Sequence, residues 1–394
     1  MDKIYFDNAS TSFPKPPEVV TAITDYLSNN GCNINRGCYS LAYQTEEMVF
    51  ECRELLNELF HGPDPRNVIF TKNITESINV ILKGFLKPGD HIIVSSMEHN
   101  AMMRPLVQLE QQNVSFTRIQ CDHNGVFPTE ELPKAIQKNT KMVAVLHASN
   151  VCGTVMPLQE IGNICLEHNI KFLVDSAQTA GILPIDMKSM HIDALTFTGH
   201  KGLLGPQGIG GFLITDEMSS LITPLLAGGT GSISHTEEIP SFLPDKFEAG
   251  TLNIPGIMGL RASLLWIKER GIDCISHHEL ALTKHFLDSL QSTKLHKKMR
   301  LVGLSSVEKA CKPQLDWNRI GVVSIQPYEM DAAELAYQLD SQYHILTRVG
   351  LHCAPSAHKT LGTFPEGTIR FSFGWNNTIQ EIDYVIEALR KLLP

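Results

Sequence analysis

The segment Thr198-Gly199-His200-Lys201-Gly202-Leu203-Leu204-Gly205-Pro206 is the part of the sequence that says most about the fold. It places a lysine among glycines, directly after the apolar, strand-like segment 194–197. Glycines allow the backbone to approach a ligand closely. About one βαβ unit upstream, Asp175 follows the apolar segment 171–174 in the same way. Both side chains are therefore predicted at the carboxyl ends of strands in one parallel sheet, where α/β proteins bind ligands.

Strand-like and helical patterns alternate on both sides of this pair. Helices are predicted at 46–60, from 73 onward and at 157–167, the second beginning with a cap at Asn73 and a glutamate three residues later. Such alternation predicts an α/β fold with a mostly parallel, seven-stranded sheet covered by helices on both faces. The predicted strands are 68–70, 91–94, 115–119, 142–146, 171–174, 194–197 and 208–214.

The pattern changes after residue 256. Helical stretches at 257–269, 276–290, 331–339 and 378–393 flank strand candidates at 321–325 and 369–373. We therefore predict a large domain over residues 14–256. A smaller α+β domain is predicted to comprise residues 1–13 and 257–394.

The composition excludes several classes of protein. Of 394 residues, 43% are hydrophobic and 19% charged, which is typical of a soluble globular protein. A net charge of −9 without a basic run argues against a nucleic-acid partner. No apolar stretch approaches a membrane span, and the N-terminus lacks a signal core. The nine cysteines form no Cys-x-x-Cys pair, which favours reduced thiols in the cytoplasm and no metal site.

The pair Lys201 and Asp175 is what a pyridoxal 5'-phosphate site requires. The lysine forms a Schiff base with the cofactor, and the acid keeps the pyridine nitrogen protonated so that the ring acts as an electron sink. The alternatives are a surface lysine and an ordinary helix cap. The helix start at 73–76 offers N–H groups and a hydroxyl to a phosphate, unless it is only a cap. His99 follows a predicted strand and either stacks on a ring or is an ordinary loop histidine.

Two further side chains point to the reaction. Cys353 lies beside Arg348, Gly350 and His352 on a predicted loop, and nearby cations lower a thiol pKa and make the thiol nucleophilic. The alternative is an inert cysteine in a turn. Arg370 lies in a strand-like run, so it binds either a substrate carboxylate or a structural carboxylate.

Across nearly its whole length the chain resembles the cysteine desulfurases and selenocysteine lyases, class V aminotransferase-like enzymes of pyridoxal-phosphate fold type I. The short Arg-x-Gly-x-His-Cys loop resembles the second group of that family. The matching motifs are Tyr5-Phe6-Asp7-Asn8-Ala9, Asn35-Arg36-Gly37, Glu98-His99-Asn100, Ser149-Asn150-Val151-Cys152-Gly153-Thr154, Val174-Asp175-Ser176-Ala177-Gln178, Thr198-Gly199-His200-Lys201, Phe247-Glu248-Ala249-Gly250-Thr251 and Arg348-Val349-Gly350-Leu351-His352-Cys353.

The resemblance implies a role for each matching position. Lys201, Asp175, Gln178 and His99 would hold the cofactor ring, with Lys201 moving the Cα proton and Cys353 taking the sulfur. The phosphate would be held by Ile74, Thr75, Thr198 and His200, with Thr251 supplied by a second subunit. The substrate would be bound by Arg370, Arg348, Asn150, Asn35 and Arg36. Two departures from the family pattern are Ile74, where relatives often carry a second threonine, and Asn35, where they commonly carry histidine.

The implied activity converts L-cysteine to L-alanine and leaves a persulfide on Cys353. A homodimer would then supply sulfur, through an acceptor protein, to Fe–S clusters or other sulfur-containing molecules. The alternative substrate is L-selenocysteine. Other classes that stay open are an aminotransferase, a kynureninase-like hydrolase or an epimerase on the same scaffold, and a non-catalytic binding relative.

Overall fold

A computed structural model of the chain describes residues 3–35, 37–233, 235–308 and 317–394. Its centre is a seven-stranded sheet with the strand order β2-β8-β7-β6-β5-β3-β4. The strands β3 to β7 run parallel, and β8 runs antiparallel to both of its neighbours. The strands are β2 (Val68–Thr71), β3 (His91–Ser95), β4 (Ser115–Ile119), β5 (Thr140–Leu146), β6 (Lys171–Asp175), β7 (Ala194–Thr198) and β8 (Gly210–Ile214).

Helices cover both faces of this sheet because alternate residues of its central strands point to opposite sides. On β5, Val143 packs into one apolar cluster and Met142 into another. The first cluster includes side chains of α2 (Ser40–Phe60), α6 (Leu158–Glu167) and α8 (Ile254–Arg270). The second includes side chains of α3 (Ile74–Phe85), α4 (Asn100–Glu110) and α7 (Asp216–Leu221). Two more helices are α1 (Pro17–Asp25) and α5 (Leu132–Ala135).

A third apolar cluster lies around a second, antiparallel sheet of order β12-β13-β10-β9. A short parallel pair joins β1 near the N-terminus to β11. The strands are β1 (Ile4–Tyr5), β9 (Met299–Val302), β10 (Val322–Pro327), β11 (Ile345–Leu346), β12 (Arg348–Gly350) and β13 (Thr368–Ser372). The helices are α9 (Ile272–Ser292), α10 (Ala332–Tyr343), α11 (Pro355–Leu361) and α12 (Ile379–Leu392).

The predicted α/β class and the mostly parallel sheet are confirmed. Predicted helix starts also hold: Asn73 accepts a hydrogen bond from the Glu76 N–H, and Thr378 forms a capping box with Glu381. The helix α4 was not predicted, since Pro105 interrupts its pattern. The proposed domain boundaries stay a prediction. Within the described residues, no helix is both long and apolar enough to cross a membrane.

A buried ion pair fixes the segment after β8 to the edge of the large sheet. Arg53 on α2 and Glu248 approach to 2.7 Å, and both side chains are only 6% exposed. The Phe70 N–H of β2 also donates to Glu248 (2.7 Å). Glu248 therefore anchors the loop that carries Thr251.

We expect Glu248→Ala to lower the free energy of unfolding by about 3–5 kcal/mol, because it leaves Arg53 buried without a countercharge. Removing both partners, in Arg53→Met/Glu248→Met, is expected to recover part of that loss. Urea unfolding measures both effects. Glu51→Ala, which breaks the more exposed Arg261–Glu51 pair, is the matched control and should cost no more than about 1 kcal/mol. Equal losses in the two alanine variants would contradict the assignment.

Candidate active site

The site lies where β6 and β7 end. Asp175 is the last residue of β6, Thr198 is the last residue of β7, and Lys201 lies in the loop that follows. That loop packs tightly on the turn after β6, since a Cβ at Gly202 would lie only 2.5 Å from the Ala180 carbonyl oxygen. Glycine at 202 therefore permits backbone-to-backbone packing, which brings the lysine loop close to the aspartate.

Burial and mutual attraction set the electrostatics of this pair. Burial raises the pKa of Asp175, while a hydrogen bond from the Ala177 N–H (2.9 Å) and the charge of Lys201 oppose the rise. Burial lowers the pKa of Lys201 to about 8, and Asp175 partly opposes that fall. A lysine with a pKa near 8 carries a substantial neutral fraction at physiological pH, which a carbonyl-reactive amine needs.

His99 caps α4 on the same side of the sheet. Its Nδ1 accepts a hydrogen bond from the Ala101 N–H (3.0 Å), and burial, with Lys201 next in importance, lowers its pKa to about 4. His99 is therefore a neutral ring near neutral pH. Beside it Glu98 is fully buried, which raises the pKa of its carboxyl group to about 8, and that group accepts a hydrogen bond from the Leu146 N–H (3.1 Å) at the end of β5. Glu98 thus ties the His99 turn to the sheet.

Two arginines meet at the N-terminal arm. The Nη2 of Arg370 donates to Asp7 (2.9 Å) and Ser10 (2.7 Å), and its Nη1 donates to the Asn150 carbonyl (3.0 Å). Arg348 also donates to the Ser10 hydroxyl (2.9 Å), and its side chain is 43% exposed. Arg370 therefore has a structural carboxylate partner, one of the two alternatives the sequence left open. Arg348 retains donors that face solvent.

The loop that carries Cys353 is fixed by its main chain. The Asn100 N–H donates to the Cys353 carbonyl (2.9 Å), and Asn150 Nδ2 donates to the His352 carbonyl (2.7 Å). His352 and Cys353 both have positive φ angles, 48° and 58°. Two consecutive non-glycine residues in this region each cost about 1–3 kcal/mol and cluster at functional sites. The Cys353 residue is exposed, next to the start of α4.

One electrostatic expectation is wrong. His352 does not supply a positive charge to Cys353, because burial, with help from Arg370, lowers the pKa of His352 to about 2. Its Nε2 instead pairs with the Thr368 hydroxyl (3.0 Å). Among the side chains expected to be positively charged near Cys353, the arginines therefore carry the charge.

Several buried polar atoms of the site lack hydrogen-bond partners among the described residues. They are Thr198 Oγ1, His200 Nδ1, Asn150 Oδ1, His352 Nδ1 and Arg370 Nε. Buried polar atoms are nearly always paired, so a cluster of unpaired ones indicates a polar ligand. Gln178, by contrast, donates to the Ala9 carbonyl (3.1 Å).

Some predicted site residues lie apart from this group. Ile74 is buried in an apolar cluster, so only its backbone N–H can face a ligand at the start of α3, while Thr75 beside it is exposed. Asn35 and Thr251 instead line a separate cavity of about 640 Å³, whose lining does not include Lys201 or Asp175. Arg36 lies outside the described residues.

Sequence reasoning missed three site residues. Asp7 and Ser10 bind Arg370, and buried Glu98 supports the His99 turn. Asp7 and Glu98 lie inside motifs that resemble those of the family, and this resemblance is the sequence signal that could have identified them. Their partners are far along the chain or main-chain groups, so sequence spacing alone does not reveal them.

Comparisons with known proteins agree with this geometry. The class-V aminotransferase family model matches residues 4–385, so the chain belongs to the class-V aminotransferase family. A probable cysteine desulfurase of Methanothermobacter thermautotrophicus is 33% identical over 99% of this chain and 95% of the relative. The predicted resemblance is thereby confirmed.

Solved structures lead to the same family. The apo structure of a cysteine desulfurase from Thermococcus onnurineus NA1 has a TM-score of 0.89 and 31% identity over 99% of this chain and 94% of its own. The cysteine desulfurase CsdA of Escherichia coli, in an S-sulfonic acid form, has a TM-score of 0.86 and 27% identity over 100% of this chain and 96% of its own.

We expect the amine of Lys201 to react with acetic anhydride with a pH midpoint near 8, because burial holds its pKa there. Ordinary surface lysines should titrate near 10.4. Peptide mass spectrometry of the ligand-free protein, labelled across this pH range, measures the midpoint. In Asp175→Asn the midpoint should fall further, since the carboxylate that favours the ammonium is gone. A midpoint near that of surface lysines, or a rise in Asp175→Asn, would contradict the pairing.

Proposed function

We propose that the protein is a cysteine desulfurase that converts L-cysteine to L-alanine and leaves a persulfide on Cys353. The observation that carries the proposal is the placement of an exposed cysteine on a fixed loop beside the Lys201 site. The bond from the Asn100 N–H to the Cys353 carbonyl joins that loop to the residue that follows His99. The relatives named cysteine desulfurase support the same activity.

The residues present fit pyridoxal 5'-phosphate. Unpaired Thr198 Oγ1 and His200 Nδ1, together with the exposed start of α3 at Thr75, suit a phosphate. Asp175 suits the pyridine nitrogen, Gln178 the ring hydroxyl, neutral His99 the ring face, and Lys201 the aldehyde carbon. When bound, this cofactor supplies an electron sink for charge that develops at the substrate Cα.

The chain's own residues would then perform four tasks. Lys201 would take the Cα proton, a role for which a pKa near 8 is suited. Arg348, with its exposed donors, and the unpaired Nε of Arg370 would bind the substrate carboxylate, and Asn150 would orient it. Neutral His99 would exclude water from one face of the reacting group.

Cys353 would carry out the sulfur transfer. Its thiolate attacks the substrate sulfur, the new S–S bond forms, and the bond between that sulfur and Cβ breaks. The electron pair of the broken bond stays on carbon, which takes a proton and becomes the methyl group of alanine. Substrate cysteine and one thiol thus yield alanine and one persulfide, with no external oxidant.

The alternatives that the sequence left open are less well supported. L-Selenocysteine as the main substrate is not favoured, because the named relatives are cysteine desulfurases. An amine-transferring, hydrolytic or epimerising enzyme, or a binding relative, has no use for the fixed, exposed thiol. Delivery of sulfur to Fe–S clusters or other molecules through an acceptor protein belongs to the proposal. The cytoplasmic localisation stays a prediction.

We also propose a homodimer in which Thr251 of one subunit completes the phosphate site of the other. Within one chain, Thr251 and Asn35 line a cavity apart from Lys201, which supports a role for them across an interface. Tyr39, Tyr43 and Phe50 around this region are 51%, 54% and 43% exposed, and exposed aromatic side chains are typical of protein interfaces.

We expect Cys353→Ala to lower alanine formation from L-cysteine on the order of 10³-fold or more, because the nucleophile is lost. Bound cofactor should keep its absorbance, which depends on Lys201. Incubation with L-cysteine followed by mass spectrometry should add about 32 Da to the Cys353 peptide of the wild type.

Cys274→Ala is the matched control, since its thiol is exposed but lies outside the Cys353 loop. It should keep full activity. Unchanged turnover in Cys353→Ala, or an adduct mapped to another cysteine, would sink the proposal. If Lys201→Ala formed alanine at the wild-type rate, the proposed bond between Lys201 and the cofactor would be ruled out.

If the protein is a homodimer, sedimentation at nanomolar concentration should show a dimer. Further dilution that separates the subunits should abolish activity. Mixing inactive Lys201→Ala with inactive Thr251→Arg subunits should restore part of the activity, because one hybrid site then has both wild-type residues. An active monomer, or mixtures without recovery, would rule out a shared site.

A further inference from the structure

A shallow groove rich in positive charge lies beside the Cys353 loop. It has a volume of about 310 Å³ and is lined by α4, β4 and the start of α11. Its charged residues are Arg104 on α4, Arg118 on β4 and Lys359 on α11, and its apolar floor includes Val107, which is 48% exposed. This groove is called the basic groove below.

The charge of the basic groove is not neutralised by the protein. None of its lining residues is acidic, although the whole chain carries a net charge of −9. The three cationic residues are exposed, and no ion pair joins them to an acidic side chain of the described residues. Like charges in one groove repel one another, so their clustering does not serve the stability of the fold.

Aromatic rings support two of these cations. The guanidinium of Arg118 lies 4.9 Å from the centroid of Phe116, and the ammonium of Lys359 lies 5.1 Å from that of Phe364. Cation–π contacts of this kind restrain long side chains without neutralising their charge. The groove therefore presents positive charge in fixed directions.

The groove begins at the residues that hold Cys353. Asn100, whose N–H binds the Cys353 carbonyl (2.9 Å), lines the groove, as do Pro355 and Ser356 immediately after the cysteine loop. Cys353 itself is exposed, so its thiol is accessible from outside the fold.

We propose that the basic groove docks an acidic segment of the protein that accepts sulfur from Cys353. The inference rests on the proposed desulfurase function and adds the chemistry of its partner. The acceptor's thiolate attacks the outer sulfur of the Cys353 persulfide. The S–S bond to Cys353 breaks, its electron pair leaves on the Cys353 thiolate, and the acceptor becomes the persulfide.

Electrostatics explain why such a groove is useful. A protein of net charge −9 repels an acidic partner at long range. Within about 10 Å at 0.1 M salt, however, local charges dominate because more distant ones are screened. Three cations in a groove that adjoins the Cys353 loop therefore favour acidic partners near the place of sulfur transfer and speed their approach.

The test uses peptides with a single cysteine flanked by Asp and Glu, and matched peptides in which Asn and Gln replace the acids. Holoenzyme is loaded with persulfide by L-cysteine, and loss of the added sulfur is followed by mass spectrometry at low and high salt. We expect the acidic peptide to unload the wild type at least about tenfold faster than the neutral peptide at low salt, and the advantage to shrink at high salt.

The charge-reversed variant Arg104→Glu/Arg118→Glu/Lys359→Glu should lose the acidic preference. The control Lys138→Glu/Lys297→Glu/Lys391→Glu changes the net charge equally at exposed positions outside the groove and should keep it. Alanine formation with the neutral reductant dithiothreitol should stay unchanged in both variants. If the wild type forms no alanine under these conditions, the proposed function itself is refuted.

Three outcomes would overturn the docking proposal while leaving the desulfurase intact. The first is equal rates for the acidic and neutral peptides. The second is an equal loss of acidic preference in both triple variants, which would assign it to net charge. The third is conversion of a dimer to monomers by the groove reversal alone, which would make the groove a subunit contact.

Discussion

The site depends on one constraint, which is that a carboxylate and an amine must share a largely buried sheet edge. Burial favours the neutral forms of both Asp175 and Lys201, raising the pKa of the carboxyl and lowering that of the amine, because a low-dielectric environment penalises each charged form. Their mutual attraction opposes this, so the pKa of Lys201 falls only to about 8. The parallel sheet provides the arrangement, since neighbouring strands β6 and β7 end side by side and each delivers one of the two groups.

A second network connects this edge to the two ends of the chain. Asp7, near the N-terminus, binds Arg370 on β13, and Arg370 in turn binds the Asn150 carbonyl beyond the end of β5. A nearly fully buried arginine is stable only with such partners. Because Asn150 also holds the His352 carbonyl, the same network positions the Cys353 loop. Arg370, the Cys353 loop and the sheet are therefore parts of one hydrogen-bonded unit.

Much of the large sheet could be predicted from sequence because buried parallel strands are continuous apolar runs, and the residues after them fall at one edge. Asp175, Lys201 and His99 were predicted at this edge in this way, whereas the role predicted for Thr198 came from the family resemblance. The charge state of His352 could not be predicted, since burial rather than sequence neighbours sets its pKa. The structural partner of Arg370 is distant in sequence, and the separation of Asn35 and Thr251 from Lys201 is a property of the folded chain.

The neutrality of His352 changes how the reactivity of Cys353 is understood. Since His352 carries no positive charge, backbone geometry rather than a histidine cation fixes the position of the Cys353 thiol. Two successive left-handed residues turn the loop, and the Asn100 N–H fixes it at the start of α4. Hydrogen bonds from Asn100 and Asn150 to the loop carbonyls offset the strain of that turn. Because the loop is held through its main-chain carbonyls, the Cys353 side chain stays exposed. In the proposed reaction, this one cysteine takes sulfur from a small substrate and passes it to a larger, acidic partner.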